Sequence, residues 1–187
     1  MFTGRLASVL LFVLSLGFLV YAAPSPMYSH SKAVSARGEG GRLAPLSALE
    51  GSLRKQYDSC MRVKTVDEAK VVINTVTSQI QTCNAALAQS GGLELDDHGK
   101  TDVALRVASV ITLVVKIFFK LTQQLGKDAV ASLLASVAVA LKTLLSTVGH
   151  CVDGIFPLVL KKIADIKVEA VLKNDLVECA KLLGLAA

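Results

Sequence analysis

TDVALRVASVITLVVKIFFKLTQQLGKD, residues 101–128, is the most apolar stretch beyond the N-terminus, yet a charge or an amide interrupts it every few residues. The interruptions are Asp102, Arg106, Ser109, Thr112, Lys116, Lys120, Gln123 or Gln124, and Lys127. Their steps are threes and fours, so on a helix they form one narrow edge of an otherwise apolar cylinder. Three settings suit such a helix: the core of a soluble bundle, a membrane span, or a lipid surface. Spanning is the costly one. Large apolar residues between 103 and 123 contribute roughly −0.3 to −0.6 kcal/mol each on insertion, whereas a Lys or Arg costs roughly 2.5 to 3.5 kcal/mol at the centre. With Arg106, Lys116 and Lys120 in the segment, the sum lies near zero or above. Residues 129–149 form a better span, since Lys142 is their only strong charge.

Working outward, helical period continues on both sides. Leu46, Leu49, Leu53, Tyr57 and Cys60 recur at steps of three and four behind Pro45, which suits a first helical turn. Thr65-Val66-Asp67-Glu68 spells a capping box. The helix it opens carries the stripe Val66, Ala69, Ile73, Val76, Ile80, Cys83 and Leu87, and ends near the glycines of QSGG. GGLELDDHGK, residues 91–100, is expected to be a loop, in which Asp96, Asp97 and His98 sit exposed. Three adjacent residues cannot all face one ion from an ordinary loop, so they make a poor metal site. The helix after Gly126 repeats a weaker polar edge through Asp128, Ser132, Ser136, Thr143, Ser146 and His150. Beyond Gly149 and Gly154, Pro157 starts another helix, and Asn174-Asp175 breaks or recaps its end. The spacing predicts an all-α protein. It is an up-and-down bundle of about five main helices plus a short C-terminal one.

The N-terminus sets the compartment. MFTGRLASVLLFVLSLGFLVYAAP has one early charge, Arg5, an uncharged apolar run, and small residues that suit cleavage after Ala22. The expected layout is a signal peptide over 1–22, a disordered Gly/Ser-rich leader over 23–42, and a helical domain over 43–187. The expected location is extracellular; an N-terminal anchor is the alternative. On that route the four cysteines are expected to pair. A capped helix from Thr65 would hold Cys60 and Cys83 roughly 25 Å apart. In an up-and-down bundle the pairs at matching ends are Cys60–Cys179 and Cys83–Cys151, one of three connectivities four cysteines allow.

Several function classes are disfavoured. The formal charge is a modest +5, of which Arg5 belongs to the signal segment, and the chain has no Trp and only 5% aromatic residues. Its Lys and Arg residues are spread out, so nucleic acid is not an expected partner. No nucleophile elbow, HExxH, P-loop or dinucleotide fingerprint occurs. His150-Cys151 is no catalytic pair, because adjacent helical residues point about 100° apart; a helix-capping role suits His150 better. Neither a cofactor nor a metal is expected, nor an enzyme.

The layout of the mature chain, including YDSCMRVKTVDEAKVVINTVTSQIQTC at 57–83, resembles the small secreted cysteine-containing helical proteins of basidiomycete fungi, often labelled transmembrane from hydropathy. It resembles more loosely the fungal hydrophobic-surface-binding and cell-wall mannoprotein domains. The expectation is a secreted, non-enzymatic protein that binds apolar or amphipathic ligands or surfaces (lipid, cell wall or host-facing), with self-association possible through spare apolar surface. The alternatives are a membrane-active secreted protein that inserts into lipid, and a membrane protein with one or two spans near 103–123 and 129–149.

Overall fold

A computed structural model describes residues 43–163 and 165–185. The signal segment expected over 1–22 and the leader expected over 23–42 lie outside the described residues. Within them the chain is all-helical: α1 Ala44–Cys60, α2 Val66–Ser90, α3 Asp97–Leu125, α4 Lys127–Cys151, α5 Ile155–Lys162, α6 Ile166–Asp175 and α7 Val177–Leu183.

Local chemistry explains most of these boundaries. Pro45 lies in the first turn of α1. The capping box of α2 forms as read: Thr65 Oγ1 accepts from the Glu68 amide at 3.2 Å, and Glu68 Oε2 accepts from the Thr65 amide at 3.3 Å. The same carboxylate takes the Lys64 amide at 2.7 Å. The next start differs from expectation. The loop ends at Asp96, whose Oδ1 accepts from the Gly99 amide at 2.7 Å. Asp97, His98, Gly99 and Lys100 are therefore the first turn of α3, with Asp97 favourably placed at its positive end. A single residue, Gly126 at φ 88°, separates α3 from α4. Only glycine takes that conformation without strain, and it lets two long helices meet at a sharp corner.

One expected helix is two. The run beginning at Pro157 breaks after Lys162, and Asp165 recaps it by accepting the Lys167 amide at 2.9 Å. The all-helical reading stands, with seven helices among the described residues in place of about five and a short C-terminal one.

Around the bundle the order is α1, α2, α4, α3, which sets α1 diagonally across from α4 and α2 across from α3. Glu50, early in α1, meets Ser109, and Met61, just past its end, meets Gln124 of α3. These two helices thus run in the same direction. The α2–α3 loop crosses one end of the bundle, where the Leu93 amide donates to the Cys151 carbonyl at 2.9 Å. Helices α5 to α7 pack on the α3 and α4 side. The core is wholly apolar: no polar or charged residue is buried among the described residues. It includes Leu46, Leu53, Ile73, Ile80, Ile111, Ile117, Leu141 and Leu145.

The expected disulfide tie is not found. All four thiols are free, and no two are close enough to bond. Cys60 ends α1, whereas the Cys179 thiol lies on α4, 3.8 Å from the Ala138 carbonyl, and α1 and α4 occupy opposite corners. Cys83 and Cys151 do share an end of the bundle, with the Cys151 thiol 3.8 Å from the Leu87 carbonyl one turn beyond Cys83. Cys83, however, faces the groove between α1 and α2, alongside Ala48 and Leu49, while Cys151 approaches from α4.

Candidate functional site

The polar edge of α3 does not face open water along its length. Its middle lies beside α1, and the two helices are tied by one carboxylate. Glu50, with its side chain only 17% exposed, accepts from Arg54 Nη2 at 2.6 Å and from Ser109 Oγ at 2.9 Å, and stands 3.8 Å from Arg106 Nη1. Burial alone would raise its pKa. The hydrogen bonds from Arg54 and Ser109, with the charges of Arg54 and Arg106, outweigh burial and hold the carboxyl below its usual range.

Next to this clasp, α1 and α3 part to form an open cleft of about 540 Å³. Helix α1 contributes Arg54, Tyr57 and Asp58; α3 contributes Leu105, Ala108, Ser109, Thr112, Leu113 and Lys116; α5 adds Lys162. Ser109, Thr112 and Lys116 belong to the stripe read from sequence, so part of that wet edge is the polar side of a cleft. Leu105, 46% exposed, and the half-buried Leu113 and Tyr57 supply apolar surface beside it. The volume lies within the range of small-molecule sites, roughly 300–1,000 Å³.

Ser109 donates to Glu50, but a carboxylate held below its usual range by two guanidinium groups is a weak base and does not activate a hydroxyl. The cysteines are no better as nucleophiles. Burial pushes Cys60, Cys83 and Cys179 up to about 11 and also raises Cys151.

A second groove, of about 510 Å³, lies between α1 and α2. Ala44, Ala48, Leu49, Cys83 and Ala86 line it with several hydroxyls and Gln79, and no charged side chain does among the described residues. The other residues singled out from sequence serve local structure. Asp96 caps α3, and His150 places Nδ1 2.6 Å from the Ser146 carbonyl in the last turn of α4. No group of three metal-ligating side chains comes together among the described residues.

Glu50, Arg54, Tyr57 and Lys162 were missed in the sequence as site residues. Glu50 and Arg54 form a visible i,i+4 pair, but nothing in the sequence says that α3 lies against it. The chain matches no family model, no curated protein and no solved structure.

Proposed function

We propose that the protein is a secreted, non-enzymatic helical bundle that binds an amphipathic ligand in the cleft between α1 and α3. One observation carries this reading: hydroxyl and cationic side chains of the α3 stripe share a cleft with Leu105, Leu113 and Tyr57. A cleft that sets Leu105, Ala108, Leu113 and the Tyr57 ring beside hydroxyl and charged side chains suits a molecule with both characters. The test is calorimetric titration of detergent-free protein with single-chain amphiphiles below micelle-forming concentration. Saturable binding that is lost in Leu105→Glu is the expected result, since that exposed position tolerates a charge. If no amphiphile binds, the reading fails.

A second reading, membrane activity, has its own support. Among the described helices α4 alone is long and apolar enough to cross a membrane, and only 33% of its most apolar window is buried. Val139, 67% exposed, lies on its open face. Dye release from anionic vesicles tests it, and no leakage at any pH removes it.

A further inference from the structure

We infer that the ligand of the α1–α3 cleft is a single-chain amphiphile with an anionic head. The inference rests on the cleft being an amphiphile site and adds the sign of the head group. Three cations from three helices line the cleft, Arg54, Lys116 and Lys162, against one carboxylate, Asp58. Lys116 and Lys162 have no ion-pair partner among the described residues. The neighbouring acid, Glu50, engages Arg54 and Arg106, which leaves Lys116 and Lys162 as the cations of the cleft that an anionic head would meet unpaired. Because the cations come from separate elements, a bound anion would be held from several sides by a frame that the apolar core fixes. A carboxylate and a phosphate monoester both meet this requirement.

The tail follows from the same lining. Leu105 and Lys116 stand roughly 16 Å apart along α3 at 1.5 Å per residue, close to the length of an extended dodecyl chain. Leu105, Ala108 and Leu113 lie along that path. Among the described residues the groove between α1 and α2 has no charged lining, so these offer an anionic head nothing comparable.

Tyr57 makes the cleft observable. The chain has no Trp and three tyrosines, so full-length protein carrying Tyr21→Phe and Tyr28→Phe reports from Tyr57 alone. This protein is titrated with laurate, dodecyl phosphate, dodecyl maltoside, dodecyltrimethylammonium and inorganic phosphate. Laurate and dodecyl phosphate are expected to change Tyr57 emission saturably, with Kd values about tenfold below that of dodecyl maltoside. Combined Lys116→Gln and Lys162→Gln, at exposed positions that leave the fold intact, is expected to remove that advantage, bringing the Kd values of laurate and dodecyl phosphate to that of dodecyl maltoside on the same variant. Of the two anionic arms, the tighter identifies the head as carboxylate or phosphate. Equal affinity for maltoside and the anions overturns the anionic head and leaves the amphiphile site standing. Tightest binding by the cationic detergent overturns it in favour of selection by Asp58. Inorganic phosphate binding as tightly as dodecyl phosphate reduces the cleft to an ion site, and silence towards every amphiphile removes the underlying reading as well.

Discussion

Ser109 of α3 donates a hydrogen bond from its hydroxyl to Glu50 of α1 at 2.9 Å, joining residues 59 positions apart in the chain. The same carboxylate gathers Arg54 from its own helix and Arg106 from α3. This cluster fixes the side of the cleft on which Arg54 and Ser109 stand.

Glu50→Gln should therefore cost about 1–2 kcal/mol, the scale of a largely buried hydrogen bond to a charged group. The loss should depend on pH. The folded pKa of Glu50 lies below its unfolded value, so the stabilisation is full above the unfolded carboxylate range, about 4.3, and fades as pH falls through the folded pKa. Denaturant titrations of both proteins between pH 7 and pH 2 should converge in acid; a constant gap would contradict the assignment.

The cysteines should behave as four free thiols. In denaturant all four should react with a disulfide reagent, whereas in the native protein the half-buried Cys151 should react first and Cys60, Cys83 and Cys179 should be protected. A non-reducing peptide map showing Cys83 linked to Cys151 would refute this. Thiols pushed up to about 11 by burial also hold their protons more tightly folded than unfolded. Their contribution to stability is full below about pH 8.5 and is lost as pH climbs towards the folded value.

Gly149 sits against an aromatic ring. A Cβ there would lie 2.7 Å from Phe156 Cζ, so Gly149→Ala forces the ring aside. Overpacking costs roughly 1–3 kcal/mol, partly offset by about 1 kcal/mol of helix propensity. The net effect should be destabilising in the native background. In Phe156→Ala, which removes the ring, the same substitution should become stabilising. Thermal melts of the four proteins read the sign change directly.

Thr65→Ala should destabilise by about 1 kcal/mol, with Thr65→Ser close to neutral, because the hydroxyl alone accepts the Glu68 amide. Chemical denaturation measures both.

What the sequence revealed was mostly local. The α2 stripe is buried as read from Ala69 to Leu87, and the α3 edge from Arg106 to Lys120 separates the packed rows of that helix. Periodicity reports which side of a helix is dry, and caps report where it starts. Asp96 and Asp165 show the limit: Asp96 reads as loop and Asp165 as helix interior, yet each caps a helix through its side chain. The order of helices around the bundle left no such trace. The disulfide expectation placed the cysteines by height alone, but their corner of the bundle and the way they face decide pairing, and both depend on the crossing of the 91–96 loop. Lys162 was invisible as a cleft residue for the same reason: it arrives there only through the packing of α5 on α3.

A core with no buried polar residue among those described has a consequence for uniqueness. Apolar contacts specify register through side-chain fit alone, and a slip of α1 on α3 by a helical repeat would also cost every polar contact made between the two helices. Such a slip would strand the Glu50 carboxylate away from Ser109 and Arg106. The register of α1 on α3 is thus marked at the rim as well as in the interior, by a charged group that the interior does not contain.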